Sequence, residues 1–246
     1  MVNQILADPR QGPNTYFQIV NTMFLKSAVA EAHRNRIDIL VKYLHRAADV
    51  AALEGRQVNV LNVGCGPAIE IQRFIETHPH PELLSFTLVD FSEDTLAYTR
   101  KCIETAARTH GKKVDVNFVH ESVHDLLKRA VRQDPLSGME RFDFVYCAGL
   151  FDYLSDKVCT RLIQYFVLRS REGGHILVTN VHASNPERNG MEHILEWHLI
   201  YRDERQLESV LPTRRSDTQL YTDVTGVNVF AEFCIRAETA GEGSVL

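Results

Sequence analysis

An aspartate that closes an apolar run, 24 positions after a pair of glycines, is the first grouping in the chain able to do chemistry. The run Val58-Asn59-Val60-Leu61-Asn62-Val63 feeds Gly64-Cys65-Gly66-Pro67-Ala68, and Asp90 ends a second run beginning at Ser85. Glycine tolerates positive φ and has no side chain, so a ligand can lie against its backbone. The open end of a parallel strand, beside a helix N-terminus, is where α/β sheets hold nucleotide-like ligands. A carboxylate at Asp90 can accept hydrogen bonds from both hydroxyls of a ribose. An aspartate at a strand end can also start a turn or cap the next helix. The dinucleotide fingerprint G-x-G-x-x-G needs a glycine at position 69; the chain has Ile69, which argues against a nucleotide-dependent oxidoreductase.

A second grouping suits an acceptor. Small Ala148 and Gly149, after Cys147, let backbone carbonyls approach a ligand, and Asp152 and Tyr153 follow closely. Between 180 and 202 lie Asn180, His182, His193, Trp197, His198, Tyr201 and Arg202. Aromatic faces mixed with hydrogen-bond donors suit a small-molecule pocket, and Arg202 could clamp a carboxylate bidentately. The alternatives are plain: Asp152 as a helix cap, Tyr153 as core, and Trp197/Tyr201 as an i,i+4 stripe packed on a sheet.

These groups need elements to hold them. Residues 1–13 read as irregular. Asn14 could cap a helix through Tyr16, Phe17, Val20, Met23, Phe24 and on to Ala28, Val29 and Ala32, with a second helix from Ile37 to Ala51 ending near Gly55. Strands and helices then alternate, which implies parallel βαβ units: strands at 58–63, 85–90, 114–119, 142–147 and 175–181, and helices at 69–77, from Ser92 to about 109, 123–132 and 155–170. Breaks fall at 134–138 and in the turn Arg171-Glu172-Gly173-Gly174. Helices are expected at Met191–Trp197 and Asp203–Leu211. Gln219–Thr222 and Val227–Arg236, around Thr225-Gly226, read as an antiparallel hairpin at the sheet edge.

The 246 residues suit one α/β domain with an appendage, or two small domains. A net charge of -5 lacks the basic footprint of a dedicated nucleic-acid binder, and Arg214-Arg215 is a short surface cluster. No apolar run reaches the roughly 20 residues of a membrane span, and the first residues do not read as a secretory signal. Five scattered cysteines suggest reduced thiols in a cytoplasmic setting, and no histidine pair has a third ligand for a metal.

The turn at 58–70 resembles motif I of class I S-adenosylmethionine (SAM) methyltransferases, with Asn62 in place of the usual acidic residue and Ala68 in place of the third glycine. With the strand pattern, the resemblance spans roughly 58–236. It implies a seven-stranded, mostly parallel, Rossmann-like sheet closed by an antiparallel hairpin. It also implies SAM as cofactor, held by Asn62, Gly64, Cys65, Gly66, Asp90 and Phe91. After strand three Ser122 takes the adenine-binding place, with Glu121 as the alternative register and Val123 against the ring; Cys147, Ala148 and Gly149 pass the methionine end. Tyr153, His182, His198 and Tyr201 are the candidate catalytic residues. Tyr16, Asp152, Trp197 and Arg202 are the candidate substrate contacts.

Four segments, Ala32–Ile37, Tyr146–Leu154, Trp197–Arg202 and Asp223–Phe230, resemble more closely a bacterial subfamily that makes the 3-hydroxypalmitic acid methyl ester signal. The expectation is methyl transfer to a small molecule, at a carboxylate or hydroxyl oxygen. A carboxylate, ionised above a pKa of about 4, needs orientation more than a base; an alcohol or amine needs deprotonation. The alternatives are N- or C-methylation of a natural product, or a SAM-binding regulator or scaffold without turnover. Residues 1–56 are expected as a helical cap, 57–238 as the methyltransferase domain and 239–246 as a flexible tail. The expected partner is a small-molecule substrate, with no nucleic acid and no membrane span; a homodimer is left open.

Overall fold

A computed structural model describes residues 10–132, 140–213 and 215–235. The break expected at 134–138, Arg214, Arg236, the tail at 239–246 and most of the irregular N-terminus lie outside these residues. Two helices come first, α1 (Thr15–Leu25) and α2 (Ala28–Glu54). Asn14 caps α1, its Oδ1 accepting from Phe17 N at 3.1 Å. Ser27 caps α2, and Gly55 ends it in the left-handed conformation. The break between the helices is therefore at Lys26-Ser27, and Ala28 to Ala51 forms one helix. A serine hydroxyl can satisfy a free N-terminal amide and start a new helix there.

The rest alternates as expected: β1 (Val58–Val63), α3 (Ile69–Thr77), β2 (Leu84–Asp90), α4 (Glu93–Thr109), β3 (Asp115–His120), α5 (Val123–Arg132), β4 (Phe142–Cys147), α6 (Asp156–Arg169) and β5 (Ser170–Val181). Then come α7 (Arg188–Ile194), α8 (Glu204–Ser209) and the hairpin β6 (Ser216–Thr222) and β7 (Asn228–Cys234). The sheet order is β3-β2-β1-β4-β5-β7-β6, with the first five strands parallel and β7 antiparallel to both neighbours. From β1 the chain steps to β2 on one side and, later, to β4 on the other. A crevice opens at such a switch point.

Alternate strand residues face two cores. Leu61, Val63, Val145, Ile176 and Ala231 pack with Leu126, Leu162 and Phe166 of α5 and α6. Val60, Phe144, Tyr146 and Leu177 pack with Leu44, Ile71 and Phe74 of α2 and α3. Leu44, Ala48 and Ala51 are fully buried, so the second half of α2 belongs to the core, while Tyr16, Ile19 and Met23 of α1 are exposed.

Two expected features differ. The turn expected at 171–174 is part of β5: Gly173 takes φ of 72°, its N–H donates to Ile235 O, and the register against β4 shifts between Phe142 and Phe144. Pairing with β7 and β4 absorbs the glycines that read as a stop. The helix expected over Met191–Trp197 ends at Ile194, and residues 197–202 are not helical, so Trp197 and Tyr201 form no i,i+4 stripe. Among the described residues no helix is long and apolar enough to cross a membrane.

Candidate active site

The glycine turn sits at the switch point. Gly64 N–H and Cys65 N–H both donate to Val89 O, at 2.8 and 3.1 Å, which fastens the end of β1 to β2. Asp90 accepts from Gly66 N–H through Oδ2 and from Ser92 N–H through Oδ1, each at 3.0 Å. Each carboxylate oxygen keeps a second lone pair for a ligand. A Cβ built on Gly66 would meet nothing within 4 Å, so the peptide there faces open space. Ala68, which caps α3, is held left-handed at φ 47° and ψ 49°. Non-glycine residues rarely adopt that conformation.

The turn borders a cavity of about 310 Å³. One end carries charge. Arg36 of α2 is 7% exposed, and its Nη2 lies 2.6 Å from His33 Nε2. Burial and the Arg36 charge hold the His33 imidazolium form well below its usual pKa, so the ring is neutral. The guanidinium fits because residue 149 is glycine, at φ 91°; a Cβ there would stand 3.0 Å from both terminal nitrogens. Glu70, also buried and lining the cavity, accepts through Oε1 from Asn62 Nδ2 at 3.2 Å and from the Tyr146 hydroxyl at 2.8 Å. Burial outweighs the Tyr146 hydrogen bond and the Arg36 charge, so the Glu70 carboxyl lies above its ordinary value.

The other end is apolar. Val29, Val181, Trp197 and Leu199 line it, with Tyr153, whose hydroxyl accepts from Trp197 Nε1 at 2.8 Å. Asp152 lies between the ends, buried, with Oδ1 accepting from Val181 N–H at 2.6 Å. Burial pushes its carboxyl up to about 6, against the Val181 N–H and the charges of Arg36 and Arg202. The segments that line this end are tied together. Asn35 Nδ2 donates to Asp223 at 2.8 Å, and Asn228 Nδ2 donates to Ala32 O at 2.9 Å, so α2 is fixed to the β6–β7 turn.

Among the residues read from sequence, Asn62, Gly64, Cys65, Gly66, Asp90 and Phe91 line the cavity. So do Ala148, Gly149, Asp152, Tyr153 and Trp197. The rest do not. Ser122 caps α5, accepting from Asp125 N–H and donating to its carboxylate, and Val123 packs on the core under α5. Cys147 is fully buried, and Tyr16 is exposed on α1. His182 meets Ser184 and Glu204 instead, and His198 is exposed. Tyr201 lies under the Arg188 guanidinium, 4.5 Å from its ring centre.

Arg202 corrects the carboxylate-clamp expectation. It is 1% exposed and donates to Asp156, Phe151 O, Leu154 O and Asn180 Oδ1, leaving no face for a substrate. Its donors are spent on two loop carbonyls, a side-chain amide oxygen and a carboxylate. Sequence reasoning missed His33, Arg36, Glu70 and Tyr146 as site residues. The signal for the first two was an apolar helical stripe, Val29, Ile37 and Leu40, interrupted by a histidine and an arginine on the same face.

The sequence pattern of the methyltransferase domain family matches residues 54–222. No curated protein sequence matches the chain. A possible exported protein from Bordetella parapertussis has a similar structure, with a TM-score of 0.70 at 16% identity over 96% of this chain and 78% of its own. Magnesium protoporphyrin IX methyltransferase from Synechocystis PCC 6803, with S-adenosylhomocysteine bound, has a TM-score of 0.58 at 13% identity over 96% and 92%. The N-methyltransferase NodS from Bradyrhizobium japonicum WM9, also with S-adenosylhomocysteine, has a TM-score of 0.52 at 15% identity over 84% and 88%. At these identities the likeness is one of fold. The family match covers most of the chain, and the switch-point turn, Asp90 and the closing hairpin accord with it: the chain belongs to the methyltransferase domain family and is a SAM-dependent enzyme with the class I fold.

Proposed function

We propose that the enzyme methylates an oxygen, carboxylate or hydroxyl, of a small molecule with an apolar body. The observation that supports this most is the division of one cavity into a charged end and an apolar end, with Asp152 between them. The residues fit the cofactor. Asp90 has lone pairs for a ribose, Gly66 leaves open space, and the exposed Phe91 offers an aromatic face. Arg36, buried and with no carboxylate in ion-pair contact among the described residues, would hold the carboxylate of the aminoacyl end. SAM, when bound, supplies an electrophilic methyl group on a sulfonium.

The chain's own part is to align and to dry the site. Val29, Val181, Trp197 and Leu199 would bury the acceptor's apolar body, and Tyr153 would hydrogen-bond its oxygen. A carboxylate acceptor would need only that orientation. A hydroxyl acceptor would pass its proton to Asp152, which is largely ionised at pH 7 with a pKa of about 6. The first helical residues of α2, which supply Val29, His33 and Arg36, would act as the cap. A 3-hydroxy fatty acid is the first acceptor to try, because three of the four segments resembling the 3-hydroxypalmitic acid methyl ester type line this cavity and the fourth is hydrogen-bonded to the first. A bacterial cytoplasm suits five cysteines that are all free thiols.

The test is a methyl-transfer screen over apolar acids, phenols, alcohols and amines, with S-adenosylhomocysteine release as the signal. Turnover on acids or hydroxyls is expected. Asp152→Asn should spare a carboxylate acceptor and cost a hydroxyl acceptor roughly 100-fold or more, the usual worth of a general base. Turnover confined to amines would overturn the oxygen assignment.

A further inference from the structure

The cavity is lined by one basic and one acidic side chain that do not pair with each other. Arg36 and Glu70 both line it and both are buried, yet among the described residues neither makes an ion pair. Buried charges are costly unless a partner compensates them. A basic and an acidic side chain that line one cavity without pairing are complementary to a zwitterion. The aminoacyl end of the cofactor is one, with a carboxylate and an ammonium on the same carbon.

The strand position nearest this end is Asn62, which is neutral. Its amide Nδ2 donates to Glu70, so Asn62 acts as a support that orients a neighbouring carboxylate. Tyr146, fully buried on β4, donates to the same oxygen from the next strand. Two donors from adjacent strands therefore converge on Glu70 Oε1 and fix the side chain at the cavity wall. Asn62 lies on β1 and Glu70 in the first turn of α3, and the glycine turn brings them within hydrogen-bond distance.

We propose that Glu70 is the anionic partner of the cofactor's ammonium group, the negative charge having moved from the strand end at 62 to the first turn of α3. This rests on the cofactor reading given above. Glu70 is a binding residue toward the cofactor and takes no part in proton transfer. Arg36 and Glu70 together then select for an intact amino acid moiety. Neither Asn62 nor Tyr146 touches the ammonium; they hold the carboxylate in place.

The experiment is calorimetric titration of the full chain with two ligands. S-adenosylhomocysteine carries the aminoacyl end, and 5′-methylthioadenosine lacks it. Glu70→Gln keeps the acceptor oxygen for Asn62 and Tyr146 but removes the charge. It should weaken S-adenosylhomocysteine roughly tenfold or more, the scale of a charge-assisted hydrogen bond, and leave methylthioadenosine within about threefold. The double variant Glu70→Gln/Asn62→Asp returns one carboxylate to the pair and should recover most of the loss.

Equal weakening of both ligands, or no weakening of either, overturns the assignment. So does a folded double variant that binds S-adenosylhomocysteine no better than Glu70→Gln. Where Glu70→Gln fails a melting check, the double variant carries the test. It keeps one amide and one carboxylate, and S-adenosylhomocysteine affinity within about threefold of the parent supports the proposal while a tenfold loss sinks it. Failure of the parent chain to bind either ligand would instead overturn the cofactor reading, and this assignment with it.

Discussion

The charged end of the cavity lies mostly on one stretch of chain, residues 62–70, with Asp90 on the next strand and Arg36 reaching in from α2. The apolar end is collected from Val29, Val181, Trp197 and Leu199 on three distant segments. The means of support differ in the same way. Backbone amides at 64, 65 and 66 tie the first to β2 and Asp90. Side-chain staples hold the second, chiefly Arg202 and the Asn35–Asp223 contact. Polar ligand groups can be met by one turn, because amides and a carboxylate give direction at short range. An apolar body needs area, and area has to be gathered from several elements.

The two buried arginines put this contrast to its hardest test. Arg36 has an open partner position in the cavity, so Arg36→Met should cost S-adenosylhomocysteine affinity roughly 100-fold, about 2.7 kcal/mol. Its melting temperature should hold or rise, since the substitution removes a buried cation that makes no ion pair among the described residues. Unchanged affinity by calorimetry, with a lower melting temperature, would put Arg36 on the structural side instead. Arg202→Met should do the reverse. It removes the guanidinium donor from Leu154 O and Asn180 Oδ1, and from Phe151 O, which keeps the Leu154 N–H. The expected loss is about 3 kcal/mol, or roughly 6–12 °C in Tm for a chain of this size. Affinity of the folded protein for S-adenosylhomocysteine should stay within about threefold.

Asp152 sharpens the boundary between the two ends through pH. Burial raises its folded pKa to about 6, above the ordinary value of 3.8. A group with a raised folded pKa favours folding fully below the unfolded pKa, and that advantage is lost as pH rises through the folded pKa. The loss should therefore fall between about pH 4 and 6 and amount to roughly 3 kcal/mol above it. Asp152→Asn should flatten that part of the stability curve and leave the variant the more stable at pH 8. Thermal melts of both proteins at pH 4.5 and 8 check this, and parallel curves would show that the carboxyl is not desolvated.

The smallest expected effect is at Ala68. Its left-handed backbone is costly for alanine, so Ala68→Gly should gain at most about 1 kcal/mol, partly offset by the buried methyl lost, and raise Tm by about 2–4 °C or less. A fall in Tm would mean that the methyl packing outweighs the backbone strain.

The strand runs, the caps at Asn14 and Ser92 and the glycine turn were legible because each depends on residues close in the chain. Period-two apolar runs, a hydroxyl or amide before a helix, and glycines at positive φ are local chemistry. The break at Lys26-Ser27 was misplaced because the apolar spacing runs through it, and only the Ser27 cap with the packing of α2 settles where one helix stops. Trp197 to Arg202 contains good helix formers, yet it is not helical. Its backbone is used by Asp152 O, Val181 O and Met191 O, and Arg202 is drawn inward to loop carbonyls.

By itself, then, the amino-acid sequence determined the alternating α/β plan, the glycine turn and Asp90, since strand ends and turns follow from neighbours along the chain. Tertiary structure alone decided that Arg202 is a staple, that His182 and His198 lie away from the cavity, and that Arg36 and Glu70 both line it. Those assignments depend on which donors and acceptors are brought together from residues far apart in the chain, and burial then sets how much each charge costs without a partner.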